Sequence, residues 1–485
     1  MSLRLLFRQF SAVSAAHLIN GLLGVAFVPF AVSRLGRAGY GLFAIYLIVQ
    51  SWVVLAELGV GKDLLRRLAS SRDATARAFA IQSGRDAYVV IALLLGVLAP
   101  VLMLTVPRWI LPVAPANVGA VQVMVLLAVL EYVAAVPIYL RQNVCLADQR
   151  FSDYARFVIS SGLLRYGLLF GALVVTTRPE LVVLAAVARR PVEIWLSGRV
   201  LGSASLPAPW ARPAFAGTAS LLTRSAVLSG AQVLQTGVVS LGGVLVNAFY
   251  GIATLGSFRA AFDLASKVWF FSNTAGLVAF PRFARAVGEG GGRLSQPLVR
   301  GLLVSRALYG LIAVAGAVAA PLVLPAVGLS ESVTVGLFGL LLGGAVCNAH
   351  ANVPYELVQA FGAYRRAVAL SGLALALLVA GFFLLRGRLG PLAIGWAWLA
   401  SQIVYSMVCD VAALSLTASR GVSRTSLAAA TLGLIVPLLV ANTVPPSSEG
   451  WPVGAAVAVV LSVASAGATL AFVLRQGRSA VVGGS

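Results

Sequence analysis

Charge is what this chain most lacks: 11% of its 485 residues are Asp, Glu, Lys or Arg, where soluble domains carry about 25%. With 60% hydrophobic residues and a mean hydropathy of +0.95, most of it must have lipid as its solvent. Cysteine is nearly absent. Cys145, Cys347 and Cys409 stand far apart with no paired spacing, which excludes a disulfide framework and a metal knuckle and leaves small buried residues. Histidine is scarcer still: the two in the chain lie in separate apolar stretches with no acidic cluster on an outer face, so a membrane-embedded glycosyl or acyl transferase finds no catalytic set. The G-x-x-x-x-G-K-S/T phosphate loop, H-E-x-x-H and G-x-S-x-G are missing too. No catalytic residue, metal ligand or cofactor is expected.

Acidic residues number 15 against 36 basic ones, a formal net charge of +21. A nucleic-acid binder gathers such charge into patches on a polar surface around a reading element, and no such element is present. Cytoplasmic loops of membrane proteins also carry excess Lys and Arg, and the distribution of these residues fits that explanation.

Apolar runs long enough to cross a bilayer, which takes roughly 20 residues each, recur from end to end. Breaking the chain at charge clusters and Gly/Pro turns predicts an all-α polytopic membrane protein of about fourteen spans, near 9–33, 39–61, 80–104, 118–140, 154–176, 181–201, 220–249, 256–280, 301–324, 332–359, 367–385, 391–415, 426–444 and 453–474. The first run has no small-residue cleavage site at signal-peptide length and reads as a membrane helix. With both termini inside, 25 Lys and Arg fall in cytoplasmic segments and 6 outside, which fixes the orientation. Every outside loop is short, which counts against an enzyme working at the outer face. The longest inside loops are 62–79, the Pro-rich 202–219 and the Gly-rich 281–300.

The Pro-rich loop divides the chain into an N-terminal lobe (1–202), a linker (203–219), a C-terminal lobe (220–418) and a final pair of helices with a tail (419–485). An internal repeat supports the division. A shift of 215 aligns Ala16 with Ala231, Gly36 with Gly251, Ala38 with Ala253, Gly41 with Gly256 and Phe43 with Phe258; a shift of 217 aligns Ala134, Val136 and Pro137 with Ala351, Val353 and Pro354. An even number of spans separates the matched segments, so the repeats are parallel.

Gly36 with GYGLF at 39–43, ELGVGKDLLRRLA at 57–69, ATLGSFRAAFDLA at 253–265 and AFPRFAR at 279–285 give the sequence its resemblance. It resembles the polysaccharide flippase family, the carriers of lipid-linked O-antigen, capsule and exopolysaccharide units, which stands with the multidrug and toxin extrusion transporters and the lipid II flippases. The resemblance implies two six-helix lobes in a V around a cationic cavity, with two C-terminal helices appended. It also implies alternating access that carries a polyprenyl-pyrophosphate-linked oligosaccharide from the inner to the outer leaflet of a bacterial inner membrane, coupled to membrane potential, H+ or Na+. Membrane lipid, a polysaccharide polymerase and assembly proteins are the implied partners, with the carrier itself a monomer. Lipid II-type flipping and multidrug or other small-molecule transport are the alternatives. The drug-antiport reading calls for an acidic residue in the first span, which has none, and a major-facilitator transporter calls for G-x-x-x-D-R-x-G where KDLLRRLA stands.

Charges at membrane depth cost about 2.5–3.5 kcal/mol each on insertion scales, so they face a protein interior or a water-filled cavity. Arg259, Asp263 and Lys267 are spaced four apart and share a helix face, with Lys267 roughly 16 Å into the span. Asp263 offsets one neighbour and leaves the face cationic; a closed structural triad is the other reading. Glu131 and Arg165 lie midway along adjacent spans, where they either pair with each other or line a cavity. Arg189, Arg190 and Glu193 surround Pro191, whose ring kinks a helix and frees a carbonyl; alternatively the span is shallow and its arginines snorkel. His17 and Asn20 in the first span, and Asn348, His350, Asn352 and Glu356 in the tenth, are polar residues in apolar surroundings, singly more often interhelical hydrogen-bond partners than ligands.

Overall fold

The computed structural model describes residues 3–57, 59–70, 73–202, 218–270, 295–326 and 328–416, with 272, 283 and 460 besides. The span expected at 426–444, all but residue 460 of that at 453–474, the glycines at 290–292, nearly all of the 203–219 linker and most of AFPRFAR lie outside these residues. Among the described residues every regular element is helical: α1 (Leu3–Leu55), α2 (Val60–Ser70), α3 (Ala74–Thr105), α4 (Val118–Ala147), α5 (Phe151–Val175), α6 (Pro179–Ala188), α7 (Arg190–Val200), α8 (Thr218–Ala265), α9 (Ser295–Ala326), α10 (Ser332–Ala360), α11 (Tyr364–Leu389) and α12 (Ala393–Leu416), with short 3-10 and π turns between some of them. Among the described residues, eight helical stretches are long and apolar enough to cross a membrane. Trp109, Val175 and Leu384 are about four-fifths exposed or more, as expected where the surrounding medium is lipid. The chain is an all-α polytopic membrane protein, and each of the twelve spans expected between 9 and 415 is helical over most of its described residues.

The described residues form two compact units, one within 1–260 and one from 261 onward. In the first, α1 packs against α4, α5 and α6, α3 packs against α4, and α6 and α7 lie against α4 and α5. In the second, α10 packs against α9 and α12, and α12 against α11.

The first two expected spans run together as α1, broken only at Gly36 (φ 68, ψ 171), and the seventh and eighth as α8, broken at Gly251 (φ 81, ψ 176). A backbone at positive φ with ψ near 180° is open essentially to glycine alone, so the break is written into the residue type. These are the two glycines that the 215-residue shift aligns. Five positions later the same repeat brings the segments together. A β-carbon on Gly41 would lie 2.1 Å from the carbonyl oxygen of Ile252, and one on Gly256 would lie 2.0 Å from that of Arg37. Positions 37 and 252 are themselves repeat-related, so the contact is reciprocal, as between subunits related by a two-fold axis. The repeat is thus structural as well as textual.

Two local expectations change. The inside loop predicted at 62–79 is largely helix: α1 ends at Leu55, Gly59 turns the chain at φ 67, and the charged segment after it folds as the amphipathic α2 against α3 and α4. Glu57, half-buried in that turn, accepts hydrogen bonds from the Tyr88 hydroxyl (2.8 Å) and the Gly61 amide (2.9 Å), and Asn143 donates to the same tyrosine oxygen (3.0 Å). The sixth span breaks at Arg189 into α6 and α7. Pro191 has no amide proton to donate to the preceding turn, which is why the helix parts just before it.

Candidate functional site

The break at Arg189 organises a buried ionic cluster in the first unit. Glu131 of α4 is 1% exposed and receives Arg189 Nη2 and Arg190 Nη2, each at 2.7 Å on Oε1. Its Oε2 accepts from Gln50 Nε2 at 2.6 Å and from the Tyr46 hydroxyl, both on α1. Glu193 closes the other side, accepting from Arg189 Nε at 3.0 Å, from Arg190 Nη1 at 2.8 Å and from the Ser161 hydroxyl of α5. The remaining Arg189 nitrogen, Nη1, donates to the Ala186 carbonyl at the break. Two arginines adjacent in sequence thus grip the same two carboxylates, Glu193 on α7 and Glu131 on α4.

Arg165 of α5 lies within electrostatic reach of Glu131 and Tyr46, but the ion-pair partners of Glu131 are Arg189 and Arg190. The simple Glu131–Arg165 pair is therefore replaced by a larger cluster. Snorkelling is overturned: the side chains of Arg189 and Arg190 are 4% and 12% exposed, deep among helices. Three guanidinium groups gather around two carboxylates, an excess of one positive charge. Buried Nε atoms of Arg165 and Arg190 have no hydrogen-bond partner among the described residues.

Arg259 and Asp263 lie on α8 one turn apart and are half-buried. Lys267 falls beyond the α-helix, in the 3-10 turn Ser266–Val268, with its ammonium 5.7 Å from the centre of the Phe270 ring. The tighter turn carries it off the regular four-residue register that the sequence predicts. Asn20 joins helices, donating from Nδ2 to the Val158 carbonyl of α5 at 3.1 Å, and His17 is half-buried on α1.

The second unit holds a different kind of network. Asn348 donates to Gln402 at 2.8 Å and Asn352 to Ser272 at 2.9 Å, so these amides tie helices together. Between them His350 reaches two other helices: its Nδ1 is 2.8 Å from the Ser305 hydroxyl of α9, and its Nε2 is 3.2 and 3.3 Å from the two oxygens of Asp410 on α12. Sequence reasoning passed over Asp410, although a lone carboxylate within the apolar stretch 391–415 was signal enough. Tyr46, Gln50 and Ser161 were also missed, because each is an ordinary helix residue until its partner is known. Among the described residues no group of three or more His, Cys, Asp or Glu is placed to hold a metal ion.

No protein-family model matches the sequence, and no curated protein is detectably similar to it. Solved structures do share its fold. "Lipid II flippase MurJ, inward closed conformation" superposes with a TM-score of 0.68 at 10% identity, covering 96% of this chain and 99% of that one. The MATE multidrug transporter DinF-BH gives 0.67 at 16% identity over 85% of this chain and 95% of its own. The MATE transporter VcmN of Vibrio cholerae in its bent form gives 0.57 at 15% identity, over 85% and 97%. The chain has the fold these proteins share. All three are named as a flippase or transporters rather than enzymes, in line with the expectation of a carrier.

Proposed function

We propose that the chain is a flippase that moves a polyprenyl-pyrophosphate-linked oligosaccharide from the inner to the outer leaflet of a bacterial inner membrane by alternating access, with both termini cytoplasmic. The observation that carries this reading is the surplus of guanidinium in the buried cluster. Arginine's planar fork suits phosphate oxygens, and the unused Nε donors of Arg165 and Arg190 are what an anionic headgroup requires. Arg259 on α8 is a further candidate contact for the headgroup, with Asp263 one turn away. Lipid II-type flipping rests on the same anion chemistry and differs in the sugar. Cation-coupled drug export is less well served, because the first span carries no acidic residue.

The direction of transport follows from charge. Moving one charge through 100 mV is worth about 2.3 kcal/mol, so a headgroup with two negative charges gains roughly 4–5 kcal/mol in leaving a negative interior. In proteoliposomes containing a fluorescent polyprenyl-pyrophosphate sugar, the protein should equalise the probe between leaflets, and reversing the imposed potential should reverse net movement. A probe that stays in its original leaflet would remove the reading; movement indifferent to potential would replace electrogenic flipping with electroneutral ion coupling.

A further inference from the structure

The turn from α1 into α2 carries a carboxylate, Glu57, that has no ion-pair partner among the described residues. Its Oε1 is engaged by the Tyr88 hydroxyl at 2.8 Å and the Gly61 amide at 2.9 Å, while its Oε2 has no hydrogen-bond donor among the described residues. The bonds around it have a fixed polarity. Asn143 Nδ2 donates to the Tyr139 carbonyl at 3.0 Å, which an amide oxygen could not do, and the same nitrogen donates to Tyr88 Oη at 3.0 Å. Tyr88 therefore commits its own proton to Glu57, and Asn143 Oδ1 is left, like Glu57 Oε2, as an acceptor without a donor among the described residues. A third oxygen is in the same position. Tyr132 is 2% exposed, its buried hydroxyl has no hydrogen-bond partner, and it lies within electrostatic reach of Glu57. Its ring stands 5.8 Å from that of Tyr139, which in turn stands 6.0 Å from that of Tyr88.

The unused atoms are thus all oxygens, and they accompany one negative charge. Buried acceptors are seldom left without a partner, and a ligand set made of oxygen alone is the one that hard cations take. A single carboxylate balances a single positive charge, whereas divalent ions gather several carboxylates or phosphates, so the set fits a monovalent ion. Arg189 and Arg190 do not supply the charge, being held by Glu131 and Glu193. A water molecule could donate to the oxygens but would leave Glu57 without a counter-charge. Gly61 makes the arrangement possible. A β-carbon there would lie 2.4 Å from Glu57 Oε1, 3.0 Å from Tyr88 Oη and 3.2 Å from Asn143 Nδ2, so these groups converge where any other residue would place its side chain.

We propose that Glu57 Oε2, Asn143 Oδ1 and Tyr132 Oη bind one monovalent alkali cation, with water completing its shell, and that Tyr88 and Gly61 hold the carboxylate in place. The site does not depend on the carrier reading above. Sodium is the probe. In the purified full chain, with choline replacing sodium at constant ionic strength, radioactive sodium should bind saturably at one ion per chain. The melting temperature should rise over the same concentrations, because an ion that binds the folded chain alone stabilises it. Glu57→Gln should abolish both responses. Tyr132→Phe removes one oxygen and should weaken binding by about tenfold or more, as disturbing the supports of a metal site does. Gly61→Ala alters no ligand atom but drives a β-carbon onto the end of the flexible Glu57 side chain, and should weaken binding in the same way while the chain stays folded. Asp410→Asn, in the second unit, should bind sodium as the wild type does. A folded wild type with no saturable sodium binding and a melting temperature indifferent to sodium would overturn the site. So would binding that survives Glu57→Gln, or an affinity unchanged by both Tyr132→Phe and Gly61→Ala. If Glu57→Gln does not accumulate, the Tyr132 and Gly61 variants decide the matter by themselves.

Discussion

The two units bury polar groups in opposite ways. In the first, Glu131 and Glu193 are enclosed by Arg189 and Arg190, with Arg165 within electrostatic reach, and the cluster has a positive excess. In the second, Asn348 bonds Gln402 and His350 bonds Ser305 and Asp410, joining α9, α10 and α12 largely through amides and hydroxyls. Ionic clusters are costly to desolvate and hold only while every partner is present; neutral networks tolerate a change in one proton. On the proposed reading the first unit's cluster is the anion site, and the contrast with the second unit can be broken by substitution.

The largest effect should come from Glu131→Ala, which strands Arg189 and Arg190 in the interior. Breaking one partner of a buried pair costs about 3–5 kcal/mol, so the variant should fail to accumulate or should melt far below the wild type in detergent. An equivalent removal of charge in the second unit, Asp410→Asn, should leave abundance near normal. Equal losses from both would erase the contrast between the two networks.

Next in size are the arginines. Arg165→Ala should abolish flipping while leaving membrane abundance near normal, because this guanidinium is surplus to the ion pairs. Arg259→Ala should do the same, and Arg259→Lys should restore part of the activity, since a point charge replaces a bidentate fork. Recovery of both abundance and transport in Arg259→Ala combined with Asp263→Ala would instead make Arg259 a structural partner.

The glycine contact offers an internal control. Gly41→Ala and Gly256→Ala each drive a β-carbon onto a backbone oxygen, and overpacking of this kind costs about 1–3 kcal/mol. Because the contact is reciprocal, the two variants should lower the melting temperature alike. A large effect from one and none from the other would mean that the repeat no longer acts as a symmetric element.

These two glycines also show how much of the fold was legible. The helices were readable because lipid demands apolar runs of fixed length, and the repeat because positive φ and close backbone approach demand glycine at matched positions. The turn at Gly59 was read as the end of the second span and most of α2 as loop, since a charged amphipathic segment looks like solvent-exposed sequence until its buried face finds α3 and α4. In the candidate cluster, the charges Glu131, Arg165, Arg189 and Arg190 stood out by their cost at membrane depth. Which carboxylate each arginine would choose did not, because that depends on the break at Arg189. The His350–Asp410 pairing was hidden by a sequence separation of 60.

The smallest expected effect is at Glu57, at the end of α1. Burial raises its carboxyl above the usual range, opposed by the bonds from Tyr88 and Gly61. A raised value in the folded state contributes stability fully below the unfolded carboxylate range, near pH 4.3, and that contribution is lost as pH rises through the folded value. Glu57→Gln keeps an oxygen for both donors without the charge. Its melting temperature at neutral pH should equal the wild type's or exceed it by about 2 °C, and its stability should vary less between pH 5 and 8. A marked destabilisation at neutral pH would mean that the charge itself holds the turn.

Anion binding by the first unit's cluster is tested most directly by equilibrium binding of a polyprenyl pyrophosphate and of the matching uncharged polyprenol to the purified chain. The predicted result is that the pyrophosphate binds at least about tenfold more tightly, a difference near 1.4 kcal/mol, and that Arg165→Ala removes that preference while the protein stays folded. Equal affinity for the charged and uncharged lipids, or a preference untouched by Arg165→Ala, would contradict it.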